Sequence, residues 1–517
     1  MKRKPSIFVL AALLLFFSQT AHAQNRPPVF PRLEPDPKAL EFYSMGSRAS
    51  GYTWAEYAQI SLWASGGEPS PSGLGGGSGE TSTATLDRIR AVADALNNST
   101  ELPSNRRERA EFILTYMHSS LLRSYSLYQT RVDTIFSNGR YNCVSSAVLY
   151  MILCESAGLN TSAVVTRDHA FVVVSIDGQN IDVETTNRYG FDPGSRREFH
   201  DNFGTLTGFT YVPAHNYRDR RAISKIELIS LIFINRIADH ERQNRYADSV
   251  PVAIDLAALL LGAGYSSVSQ IDLAEALFED PRKVVMDRLF NYGASLLRAN
   301  REEDGILWAE TASARYAYNE RWQEFIEAAV NNRVARFLRE RDVNVTAARN
   351  FLEEKKNILT AESYAQLDTV VVDAEILKRA NQIRGIADGD SVISDALNAR
   401  ENGRLPERRA NELIVYAVQK TAAVLCAAPA RDWRAAISYI ESFISRNGGR
   451  LGISREFDQA LRTYRDNIAT DYHNRFAAEW NRRNFDEAQR ILEEGLAEFP
   501  DNRQLLTDRE TVNRMRN

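Results

Sequence analysis

The sequence predicts an α+β domain built around a thiol at the start of a helix, followed by an all-α region of stacked helix pairs. Three observations carry that expectation. Cys143 opens an apolar run to Leu153, immediately after Gly139-Arg140-Tyr141-Asn142. Val- and Ile-rich runs at 162–166 and 170–176 precede Asp177-Gly178, a dipeptide of tight hairpins, and a returning run at 180–185. From 223 to the end, apolar residues recur at helical spacing almost without strand signals. A helix followed by antiparallel strands is an α+β arrangement.

At 517 residues the chain is too long for one core, and several domains are expected. Lys2, Arg3 and Lys4, the apolar stretch 7–17 and Ala21-His22-Ala23 form the pattern of a secretory signal peptide, assigned to 1–23, so the protein is expected to be exported to a periplasm or secreted. No later run is expected to approach the ~18 apolar residues of a membrane span. Charged residues make up 25% with a net charge of -4, and basic side chains alternate with acidic ones, so nucleic acid is not an expected partner.

Residues 24–83 are rich in Pro, Gly and Ser, with a short helix expected at 55–64 and a Gly/Ser tether at 65–82. The Gly73-to-Gly79 cluster lacks the Gly-Lys-Ser/Thr of a phosphate loop. Residues 84–222 hold the α+β domain, with helices expected over 85–96 and 106–122 before the Cys143 helix, which should stop at Ala157-Gly158. Residues 223–517 are read as a helical repeat region. Its clearest copy runs from Trp480 through Phe485, Ala488, Ile491, Leu492, Gly495 and Leu496 to Pro500, the spacing of a tetratricopeptide repeat half. Weaker copies centre on 246–256, 304–312, 347–352 and 433–443.

The chemistry resides in the α+β domain. A thiol at a helix N-terminus feels the positive end of the backbone dipole, which favours the thiolate. If Asp177-Gly178 is a two-residue turn, Ile176 pairs with Gln179 and Val173 with Asp182. His169, Asp182 and Glu184 then share one face of the hairpin. Glu184 lies diagonally from His169, within reach of an imidazole–carboxylate hydrogen bond, and Asp182 is the fallback acid. His169 would take the thiol proton and Glu184 would orient the ring. The Cys143 N–H is one expected oxyanion donor. Three cysteines in an exported chain leave at least one unpaired, and Cys143 and Cys154 lie ~16 Å apart along one helix, too far to bridge. Cys154 and Cys426 read as core residues. No second Cys or His stands at ligand spacing, so no metal is expected.

Asn142-Cys143-Val144-Ser145-Ser146-Ala147, Asp168-His169-Ala170-Phe171, and Asp177-Gly178 through Val183-Glu184-Thr185-Thr186 resemble the transglutaminase-like superfamily of papain-type fold. The likeness spans about 106–213, and Gly190-Phe191-Asp192-Pro193-Gly194 is similar to a bacterial exported branch of it. It implies a Cys-His-acid triad with the acid at Glu184, where many members carry Asp, and neither metal nor organic cofactor. It implies thiol attack on amide, peptide or ester carbonyls, by hydrolysis or transamidation, with the helical repeats binding a protein or peptide partner. The alternative from another class is a catalytically inactive scaffold whose repeats do the binding.

Overall fold

The computed structural model describes residues 29–66, 82–166, 169–193, 199, 220–266, 280–316, 321–339, 343–427, 429 and 431–516. The expected leader, the bulk of the Gly/Ser tether, Asp168 and Gly194 lie outside them. The chain divides into two compact units, Met1–Ala299 with Leu307–Asn319, and Asn300–Ile306 with Glu320–Asn517. The unit holding the sheet therefore runs past residue 222 and takes in the first long helices.

In that unit the helices before the sheet are α1 (Pro37–Gly46), α2 (Trp54–Ala64), α3 (Ser82–Asn97), α4 (Arg106–Ser120), α5 (Asp133–Asn138) and α6 (Cys143–Ser156). α1, α2, α4 and α6 each start at a side-chain cap. Thr53 and Glu56 make a reciprocal capping box on α2, and the Asn105 side chain accepts from Arg107 N and Glu108 N at the head of α4. Every residue of α6 from Cys143 to Cys154 is buried. A helix apolar all round belongs inside a core, and α6 packs against α2, α4 and two strands of the main sheet.

Two short strands, β1 (Ser124–Tyr125) and β2 (Arg140–Tyr141), pair in parallel, with Tyr125 opposite Tyr141. The main sheet is antiparallel in the order β5 (Gln179–Val183), β4 (Ala170–Ile176), β3 (Asn160–Val165), β6 (Arg221–Ile223). Asp177 and Gly178 both have positive φ, at 49° and 82°, as a primed two-residue hairpin turn requires. The register follows: Ile176 pairs with Gln179 and Val173 with Asp182, the pairs read from the sequence. The ladder ends at Val172–Val183, after which Glu184 N turns away to Gly190 O at 2.8 Å.

One expectation needs correcting. Tyr246–Ser266 is long and apolar enough, by length and composition alone, to cross a membrane. Its apolar residues, Val250 to Leu259 among them, are largely buried within the unit against Lys225–Arg242 and Pro281–Arg298. Asp255, in the middle of the segment, accepts from Arg32 Nη2 on both carboxylate oxygens, at 3.0 and 2.8 Å, and, at 2.7 Å, from the Asp36 amide. The sequence scan missed the run because two aspartates and Pro251 interrupt it.

The second unit is helical, with Arg321–Arg339, Val345–Glu354, Ala361–Asn381, Ile386–Glu401, Glu407–Leu425, Trp433–Phe443, Asp458–Asn481, Phe485–Glu498 and Arg503–Arg516 as its longer helices. Sequence neighbours pack on one another. Ala488, Ile491, Leu492 and Gly495 are buried against Ala469 and Phe476 of the preceding helix and Leu505 of the next, so these four of the positions singled out in the sequence share one core, while Phe485 and Pro500 are exposed. Asp368 ties three segments, accepting from Arg349 at 2.5 Å and Arg404 at 2.8 Å.

Candidate active site

Asn142 sets the Cys143 backbone. Its φ of -133° and ψ of -172° are extended, and its side chain accepts from Val144 N and Ser145 N, both at 3.0 Å. Ser145 Oγ returns a bond from Asn142 N at 2.9 Å, completing a capping box. The cap uses the second and third amides of the helix, so the Cys143 N–H stays outside it. Cys143 thus opens α6, buried at the positive end of its dipole.

The imidazole and the acid meet as the hairpin register requires. His169 Nε2 and Glu184 Oε2 are 2.5 Å apart, both side chains buried. The other oxygen, Oε1, accepts from Thr186 N at 3.1 Å and from Thr186 Oγ1 at 2.7 Å. With Nε2 committed to Glu184, Nδ1 is the ring nitrogen left to serve a thiol. Burial is the largest influence on His169 and pushes its pKa down. The Glu184 charge, the hydrogen bond and charge of Cys143, and the Glu184 hydrogen bond together outweigh it, and the ring's pKa stands well above 6.5. An imidazolium between a sulfur and a carboxylate is the arrangement that holds a thiolate.

Asp182 is engaged elsewhere. Arg220 grips it with two nitrogens, Nη1–Oδ2 at 2.7 Å and Nη2–Oδ1 at 2.5 Å, while the guanidinium lies 4.9 Å from the Phe171 ring centre. A carboxylate clamped this way does not orient His169. Asp182→Asn is therefore expected to change the rate of Cys143 alkylation by less than about twofold and to cost about 1 kcal/mol or less, the usual value of a partly exposed pair. A loss of reactivity comparable with that of a Glu184 variant would reverse the assignment.

Sequence reasoning missed the surrounding support. His118 Nε2 lies 3.1 Å from Thr185 O, and burial, countered by that bond, brings its pKa down to about 4. A ring neutral at ordinary pH donates to the carbonyl and fixes the backbone beside Glu184. Thr185 Oγ1 meets Ser146 Oγ at 2.8 Å, and Tyr141 OH donates to Thr186 O at 3.3 Å. The segment carrying the acid is thereby stapled to the helix carrying the thiol. The Glu-Thr-Thr run was the available signal, because adjacent hydroxyls beside a buried carboxylate serve as its donors.

The other thiols have different surroundings. Burial drives the Cys154 pKa far up, and Cys426, half-buried, is also raised chiefly by burial. Among the described residues no three His, Cys, Asp or Glu side chains group as metal ligands.

No family model matches the chain, and no curated protein matches it. Among solved structures it is similar to one of menin described as revealing the binding site for the Mixed Lineage Leukemia (MLL) protein, at 12% identity and a TM-score of 0.30 over 81% of this chain and 89% of that one.

Proposed function

We propose that this chain is an exported thiol-nucleophile enzyme of transglutaminase-like type. It acts on amide, peptide or ester carbonyls through Cys143, His169 and Glu184. The observation that carries the reading is the buried His169–Glu184 pair at 2.5 Å, whose imidazole is also held above its usual pKa by the thiol at the helix start. The basic, apolar and small-residue pattern of 1–23 supports export. Stacked helix pairs, as in the second unit, are an architecture that suits an extended protein or peptide partner.

In the reaction the Cys143 sulfur forms a bond to the carbonyl carbon, and the carbonyl electron pair moves onto oxygen. As that pair returns, the C–N or C–O bond breaks and the His169 proton passes to the departing amine or alcohol. A thioester remains. Water or an amine then attacks it, His169 takes the incoming proton, and the free thiol is restored with release of acid or new amide.

The test is iodoacetamide alkylation of the full chain between pH 5 and 9, with the adduct mapped. A thiolate paired with an imidazolium alkylates in mildly acidic solution, where free thiols are slow. Cys143 is expected to label at pH 6 at least about tenfold faster than in urea-denatured chain, with Cys154 inert and Cys426 slow. Labelling of Cys143 at the denatured rate throughout would leave the scaffold reading in its place.

A further inference from the structure

Over the N-terminus of α6 runs a segment with a hydroxyl that the triad does not use. Tyr125 OH is buried and has no hydrogen-bond partner among the described residues. A buried donor without a partner costs about 1–3 kcal/mol, so such groups are kept for a reason. Its backbone is tightly placed. Tyr125 pairs with Tyr141, two residues before Cys143, and the two rings meet edge to face at 5.9 Å. Ser126 N donates to Tyr141 O at 2.8 Å, Asn142 Nδ2 to Leu127 O at 3.2 Å and Ser145 Oγ to Gln129 O at 3.3 Å. The segment 124–129 is therefore laced over the N-terminus of α6.

The surroundings also settle what the phenol can do. Burial first, then the charges of Cys143, Glu184 and Tyr141, push its pKa above the usual 10.0. It stays protonated at any working pH and acts as a donor, never as a base. The groups that influence it include the nucleophilic sulfur itself, and its segment is laced over the helix start that carries that sulfur.

We propose that Tyr125 is the second oxyanion donor, its O–H stabilising the tetrahedral oxygen together with the Cys143 N–H. This rests on the thiol-nucleophile reading of Cys143. The donor is unpaired in the resting site because its acceptor, the carbonyl oxygen of the substrate as its charge grows, arrives only with the reaction.

The test separates two reactions of one sulfur. Iodoacetamide is attacked at a saturated carbon and expels iodide, forming no oxyanion. p-Nitrophenyl acetate is attacked at its carbonyl, forms one, and releases p-nitrophenolate as Cys143 becomes acetylated. Tyr125→Phe keeps the ring packing and removes only the hydroxyl. In full-length protein it is expected to lower the acetylation rate at least about tenfold, one oxyanion donor commonly giving 10²–10³, while alkylation stays within about twofold. Equal rates of acetylation in variant and wild type would overturn the proposal and leave the triad standing. A parallel loss of both reactions would overturn it too, marking Tyr125 as a prop for the thiol. Wild-type Cys143 that neither alkylates nor acetylates faster than denatured chain would remove the triad reading and this one with it.

Discussion

Glu184→Gln is expected to lower the rate of Cys143 alkylation at pH 6 on the order of 10³-fold, the scale of an imidazole locked in the wrong tautomer. The direction follows from hydrogen-bond bookkeeping. Oε1 of Glu184 accepts two donors from Thr186, the backbone amide and the hydroxyl. Only the carbonyl oxygen of a glutamine can take that place, so its NH₂ must turn toward His169 Nε2. Nε2 then becomes an acceptor, and the single ring proton moves to Nδ1. A ring donating through Nδ1 cannot take a proton from the thiol.

The same variant makes a stability prediction with a definite sign. His169 is raised above its unfolded value near 6.5. The stability it contributes is therefore fully present below about pH 6.5 and lost as pH climbs through its folded value. Removing Glu184 takes away the largest raising influence and leaves the burial that lowers the pKa. The stability of wild type relative to Glu184→Gln should be greatest near pH 6 and shrink steadily toward alkaline pH. Urea titrations at several pH values read this directly, and a difference that does not vary with pH would show that the buried pair carries no proton.

How much of this was legible before the structure depends on the range of the interaction involved. The His169–Glu184 contact and the place of Cys143 at a helix start were readable because local rules place them. An Asn-Cys cap starts a helix, Asp177-Gly178 imposes a turn, and the two-residue period of a strand does the rest. Strand ends were less sharp. The run assigned to 180–185 ends at Val183, because Glu184 leaves the ladder for Gly190 O, a partner that pairing along the strand does not announce. Tyr125 and His118 were illegible for a different reason. Both come from segments before Cys143 that approach the site only through β1–β2 pairing and the packing of α4 on α6. Nothing in the spacing of an aromatic or a lone histidine marks such an approach. The choice between Asp182 and Glu184 fell between these cases. Register favoured Glu184, and the Arg220 clamp that takes Asp182 out of contention comes from far along the chain.

Gly190 is where the acid's backbone is most exposed to disruption. The Glu184 N–H donates to Gly190 O at 2.8 Å, and Gly190 N donates to Asn187 O at 2.9 Å, closing 184–190 into a tight loop. A β-carbon at position 190 would stand 2.0 Å from Glu184 O and 2.9 Å from Asn187 O. Both obstacles are backbone, with no flexible side-chain end to swing aside. Gly190→Ala must therefore push the Glu184 peptide outward, and the side chain that holds His169 moves with it. Overpacking of this kind costs about 1–3 kcal/mol, expected as a lower urea midpoint with unchanged slope. The more telling result is expected in the protein that remains folded, where Cys143 alkylation at pH 6 should fall at least about tenfold, since a 1 Å misplacement of a supporting group is enough for losses of that size. The lost stability cannot by itself account for lost reactivity in folded protein. A Gly190→Ala chain that loses stability but labels Cys143 at the wild-type rate would mean that Glu184 can shift without consequence, and its role as the orienting acid would fall.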